Sequence, residues 1–153
     1  MRLVAECITI EVKTRICRGE EGKEICFQYT GYDVVGEIVP IEKCVFRNVQ
    51  GGKRCDFLFL FDKKKQTYNF LKNRQSPAYY VELKGIGLVE ACEQLLNSIQ
   101  ATKDQLLGFD INALVVSSRA FIPRYDNNEN YRAVKRLIRK DIQFEVTPYT
   151  VNL

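Results

Sequence analysis

The run from Asp56 to Asp62, DFLFLFD, restricts the fold more than any other stretch of the chain. Alternate side chains of a β-strand point to opposite faces. Phe57, Phe59 and Phe61 therefore share one face, and Leu58 and Leu60 share the other. A strand that is apolar on both faces has to be covered on both, so it belongs at the centre of a sheet with a layer on each side. The next strand pattern, AYYVELK at 78–84, differs. Tyr80, Glu82 and Lys84 point one way, and Tyr79, Val81 and Leu83 the other. Burying one charge is costly, and an opposite charge two residues along offsets part of that cost. A surface strand would explain the pair but not Asp56, which opens the preceding apolar run.

The rest of the chain alternates strand and helix signals. CITIEVKTRI (7–16) alternates Ile8, Ile10, Val12 and Ile16 with Thr9, Glu11, Lys13 and Arg15, the pattern of a half-buried strand. It also places Val4, Ile8, Val12 and Ile16 four apart, so a helix stays open. RGEEGK reads as a turn and EICFQY (24–29) as a return strand. Residues 31–52 read as irregular, with IEKCVF a short strand candidate. After GIG, a helix is expected over 87–101, with Leu88, Cys92, Leu95, Leu96 and Ile99 as its apolar stripe. NALVVSS (112–118) reads as a buried strand and FIPRYDNNEN as a loop. A second helix is expected over 129–140, with Tyr131, Val134, Leu137 and Ile138 inward, and IQFEV (142–146) as the closing strand. No repeat or domain boundary interrupts the 153 residues, so the expectation is one α/β domain over 1–153.

Several chemistries are excluded by what is missing. There is no histidine, which removes Ser-His-Asp and Cys-His catalysis and any histidine base. The six cysteines contain no CxxC pair, so a zinc site of the usual spacing is not expected. The start MRLVAECITIEV, with Glu6 inside a broken apolar run, makes a poor signal peptide. The longest apolar run, Phe57 to Phe61, is far short of the ~20 residues that span a bilayer. The expectation is a cytoplasmic, unprocessed chain with free thiols and no membrane partner. A net charge of +4 leaves nucleic-acid binding to local basic patches.

At this point the residues carry a resemblance. Asp56, 25 intervening residues and then Glu82-Leu83-Lys84 resemble the motif of the PD-(D/E)XK nuclease superfamily. CDF stands where that family often has PD, so Cys55 replaces the proline, and VELKG is similar to the second half of the motif. The order of elements is also similar over about residues 50–120: two motif strands, a helix, a strand, a helix. The N-terminal part departs from the family, reading as strands where most relatives open with a helix. The resemblance implies a restriction-endonuclease-like core, a central mixed β-sheet flanked by helices, here with an N-terminal strand extension.

It also implies a chemistry. Phosphodiester hydrolysis builds negative charge on phosphoryl oxygens, and Mg²⁺, with Mn²⁺ substituting, prefers carboxylate, carbonyl and water oxygens. Asp56 and Glu82 would be metal ligands, with the Leu83 carbonyl a third. Lys84 would orient the attacking water or neutralise the leaving oxyanion. Gln94 stands where one branch of the superfamily places a glutamine on the following helix. A solvated polar residue explains Gln94 equally well, and a surface ion pair explains Glu82 with Lys84.

Two basic clusters, Lys63-Lys64-Lys65 and the helical set containing Arg132 and Arg136, are candidates for phosphate contacts. The bland alternative is a solvated basic face. The implied partner is nucleic acid, DNA first with RNA left open, and a homodimer is also left open. The implied activity is that of a small stand-alone nuclease in repair, restriction or defence. The alternatives are a catalytically silent nuclease-fold adaptor and an unrelated nucleic-acid-binding domain.

Overall fold

The computed structural model describes residues 9–11, 15–20, 23–30, 35–41, 52–62, 76–84, 87–119 and 127–152. They form nine strands and two α-helices: β1 (Thr9–Glu11), β2 (Arg15–Glu20), β3 (Lys23–Thr30), β4 (Val35–Val39), β5 (Phe57–Asp62), β6 (Pro77–Lys84), α1 (Leu88–Thr102), β7 (Asp110–Ser117), α2 (Glu129–Ile138), β8 (Gln143–Val146) and β9 (Tyr149–Asn152). A short 3-10 turn, Lys103–Leu106, follows α1 directly.

The main sheet has six strands in the order β1-β4-β5-β6-β7-β8. Pairing is antiparallel from β1 to β6 and parallel from β6 through β8, which makes the sheet mixed. β5 lies inside it, as its two apolar faces require. Leu58 and Leu60, with Ala78, Tyr80, Ala113 and Val115 of the neighbouring strands, bury against α1 and α2. Phe59 and Phe61, with Val81, Leu83, Leu114 and Val116, bury on the opposite face with Val151 of β9. That second cover is a three-stranded sheet in the order β2-β3-β9. The molecule is thus layered helix, sheet, sheet.

The sequence readings of β3, β5, β6, β7 and both helices match these elements closely. Other readings are corrected. The expected strand over 7–16 is two separate strands, β1 and β2, in different sheets. The turn expected at RGEEGK is mostly strand, because β2 continues to Glu20 and β3 begins at Lys23. β4 lies in a stretch read as irregular. β8 does not close the fold, since β9 follows and pairs in parallel with β3. The second helix ends at Ile138, and Arg139 takes a left-handed conformation (φ 58°) that stops it short of residue 140. Most of the IEKCVF stretch and residues 121–126 of the expected loop lie outside the described residues.

Candidate functional site

β5 and β6 are antiparallel, so the start of β5 meets the end of β6. This is how a separation of 25 residues collapses to a contact. The paired ladder runs from Leu60 opposite Ala78 to Phe57 opposite Val81. Beyond it the two acidic side chains take over the pairing. The Asp56 amide donates to Glu82 Oε2 at 3.1 Å, and the Leu83 amide donates to Asp56 Oδ2 at 2.9 Å. Each carboxylate thus accepts an N–H from the other's strand, in a reciprocal clasp. Glu82 is 0% exposed and Asp56 9%. Leu83's N–H points towards β5, and in a strand the C=O of the same residue lies along the same edge.

Glu82 follows Tyr80 on the helix-side face of β6, and Lys84 comes next on that face. The Lys84 ammonium lies 3.8 Å from Glu82 Oε1, 3.1 Å from Glu90 Oε2 and 3.1 Å from Gln94 Oε1. Gln94 is more than a solvated polar residue. Its amide group donates to the Arg54 carbonyl at 2.9 Å while its oxygen accepts from Lys84. It links α1 to the segment that delivers Asp56 and to the lysine of β6.

That segment is strapped to α1 along its length. Asn97 donates to the Lys53 carbonyl at 3.0 Å, and the Cys55 amide donates to Ser98 Oγ at 2.9 Å. Ser98 Oγ in turn donates to the Gln94 carbonyl, and Thr102 Oγ1 to the Ser98 carbonyl. With its proton committed there, Thr102 accepts from the Tyr80 hydroxyl at 2.6 Å. Gln94, Ser98 and Thr102, spaced four apart, form one polar seam of α1 that no apolar stripe reveals. Tyr80 is fully buried, and burial pushes its phenol well above the usual range, so it is a core residue. Burial likewise raises the Cys55 thiol, more than its Ser98 hydrogen bond lowers it. A thiol held protonated in this way is a poor nucleophile.

Gly87, with a left-handed backbone (φ 91°), stands at the N-cap of α1. Glu90, in the first helical turn, lies beside Lys84. Glu90 also pairs with Lys53, and these two lysines, Lys53 first, hold its carboxyl below the usual range. Lys53 and Glu90 were not singled out as site residues from sequence. A carboxylate one helical turn before Gln94 was the available signal.

The structure therefore brings Asp56, Glu82, Leu83, Lys84 and Gln94 together at one edge of the sheet. Arg132 and Arg136 lie elsewhere, exposed on α2, where they line a shallow open depression with Glu129, Asn130 and Ala133. Lys63, Lys64 and Lys65 fall outside the described residues. Among the described residues, no group of three or more His, Cys, Asp or Glu side chains is arranged to hold a metal. A cation here would have to be held by the two carboxylates, a carbonyl and water. Such all-oxygen donors fit Mg²⁺ or Mn²⁺ and do not fit a thiophilic ion. Among the described residues, no helix is long and apolar enough to cross a membrane. No protein-family model, curated protein or solved structure matches the chain.

Proposed function

We propose that the chain is a metal-dependent phosphodiesterase acting on nucleic acid, DNA in the first instance, with a PD-(D/E)XK type active site on a restriction-endonuclease-like core. The observation that carries this reading is the convergence of Asp56, Glu82 and Lys84. Two carboxylates from antiparallel neighbours are clasped at one point, and a lysine on the same face stands 3.8 Å from one of them.

One oxygen of each carboxylate is engaged by a backbone N–H, which fixes its direction. Asp56, Glu82 and the Leu83 carbonyl would hold Mg²⁺. When bound, the ion would stabilise charge on the phosphoryl oxygens and favour deprotonation of the attacking water. Lys84 would hold that water or the leaving oxygen by a charge-assisted hydrogen bond. Gln94 acts through Lys84, fixing its ammonium at 3.1 Å, and is a positioning residue. Both α1 and α2 follow a strand of the parallel set, so each begins at the edge where β6 and β7 end. Open α/β sheets commonly bind ligands at that edge. Arg132 and Arg136 on α2 would contact backbone phosphates.

The complete burial of Glu82 favours a second reading, a nuclease-fold module that binds nucleic acid without cutting it. There the clasp serves only to end the β5–β6 ladder. Cleavage of labelled single- and double-stranded DNA and RNA in Mg²⁺ or Mn²⁺ separates the two. The catalytic reading expects cleavage that Lys84→Ala reduces by 10²-fold or more, in the range of general acid–base contributions. Binding without cleavage of any of these polymers supports the adaptor.

A further inference from the structure

Lys53 and Lys84 close on the two oxygens of a single carboxylate. Lys53 Nζ pairs with Glu90 Oε1, and Lys84 Nζ lies 3.1 Å from Glu90 Oε2. A carboxylate gripped in this way offers the lysines what a backbone phosphodiester offers, one negative charge shared over two neighbouring oxygens. The grip is accessible, with side-chain exposures of 58% for Lys53 and 37% for Glu90, while Lys84 at 18% forms its floor. Gly87 stands beside the grip. A Cβ there would stand 3.6 Å from Glu90 Oε2 and 3.8 Å from Lys84 Cε. Lys84 does not depend on Glu90 alone for its place, because Gln94 Oε1 also holds it.

We propose that Lys53 and Lys84 form a subsite for a backbone phosphate of single- or double-stranded DNA, and that Glu90 fills it in the free protein as a displaceable internal anion. This rests on the reading of the chain as a protein that acts on nucleic acid. An internal carboxylate competes at high effective concentration, so isolated phosphate ions displace it poorly. A polymer already held at Arg132 and Arg136 presents its next phosphates at comparably high local concentration and wins the exchange. Glu90 would thus screen out small anions, and Lys53 would place the phosphate next to the Asp56–Glu82 clasp.

The test is fluorescence anisotropy with the full chain in EDTA, using fluorescein-labelled DNA of about 20 nucleotides, single-stranded and duplex, over a series of salt concentrations. The variants are Glu90→Gln, Lys53→Gln, their double, and Asp104→Asn as an exposed acidic control in the 3-10 turn that follows α1. Glu90→Gln is expected to tighten binding roughly threefold to fivefold and to steepen the log–log salt slope by about one phosphate contact. Asp104→Asn should do neither, and the double variant should return to wild-type affinity.

The proposal is overturned if Glu90→Gln behaves like Asp104→Asn, weakens binding, or keeps its gain without Lys53. Mn²⁺ titration of the same variants separates this from the catalytic reading. If Mn²⁺ binds but no variant responds to DNA, only the subsite falls. If the DNA responses hold and Mn²⁺ does not bind, the subsite stands and hydrolysis falls. Loss of Mn²⁺ affinity in Glu90→Gln with unchanged DNA binding would make Glu90 a metal ligand and overturn the proposal.

Discussion

Asp56 and Glu82 each have two tasks, and the tasks pull apart on substitution. As acceptors they satisfy the buried amides of Leu83 and Asp56. As neighbouring carboxylates they repel, and burial raises the cost of their charge. Asp56→Ala or Glu82→Ala leaves a buried N–H without its acceptor, a loss of about 1–3 kcal/mol. Asp56→Asn and Glu82→Gln keep an acceptor oxygen and remove a charge. In metal-free buffer the alanine variants should melt below wild type and the amide variants at or above it. Equal losses in both sets would show that charge, rather than the backbone hydrogen bond, holds the clasp. Strand parity put Glu82 and Lys84 on one face, and the resemblance to the nuclease motif singled out Asp56 and Gln94 beside them. The sequence could not reveal the clasp, which depends on where the β5–β6 ladder stops, nor Lys53, which reaches the site by way of hydrogen bonds from Gln94 and Asn97.

Between elements, the joint that matters joins the segment before β5 to α1. Gln94 ties the Arg54 carbonyl to Lys84, and Ser98 takes the Cys55 amide. Gln94→Ala should cost about 0.5–1.5 kcal/mol for its net hydrogen bonds and should reduce any cleavage more than it reduces Mn²⁺ affinity. A drop in Mn²⁺ affinity as large as the drop in rate would instead place Gln94 among the metal-holding groups. On the other face of β5, Phe59 is fully buried among Phe61, Val81, Leu114 and Val151. Phe59→Ala should cost about 3–5 kcal/mol by urea unfolding. A loss below about 1 kcal/mol would mean that the second sheet does not seal that face. Elements with a full period of apolar residues were legible, as DFLFLFD and the α1 stripe show. β4 was not, because Gly36 and Glu37 interrupt its pattern. β9 was not, because YTVN alternates Tyr149 and Val151 with Thr150 and Asn152 over only four residues, and its partner β3 lies more than a hundred residues earlier. A short edge pairing of that kind is set by tertiary contacts rather than local sequence.

For the whole molecule, the layered arrangement limits which groups respond to pH and oxidation. Glu90 and Asp141 have carboxyls held below their ordinary values, Glu90 mainly by Lys53 and Asp141 mainly by Lys135. Their ion pairs contribute stability above the ordinary carboxylate range, and that contribution is lost as pH falls through the depressed values. Cys92 has the opposite sign. Burial lifts its thiol from 9.0 to about 11, so its contribution is complete below 9.0 and is lost as pH rises towards 11. Melting temperature should therefore fall on both sides of neutrality, with the alkaline fall reduced in Cys92→Ser once that variant's own lower baseline is subtracted. An alkaline limb identical in the variant would remove Cys92 as its source. Cys55 and Cys92 are free thiols. Cys17 and Cys26 stand opposite each other in the β2–β3 register. Thiol titration of the denatured, unreduced protein tests the reading of a reducing compartment, with six free thiols expected and four contradicting it.

The central claim is that the clasp at the β5–β6 end is a cation site as well as a ladder terminus. Calorimetric titration of Mn²⁺ into wild type, Asp56→Asn, Glu82→Gln and Lys84→Ala tests it most directly. All four should be folded, since the amide variants keep the clasp's acceptors. Wild type should bind the ion, Lys84→Ala should bind it within a few-fold of wild type, and both amide variants should lose it, since each supplies one fewer anionic oxygen donor. Binding that is equal in all four, or absent from wild type, would contradict the claim and leave Asp56 and Glu82 as structural caps.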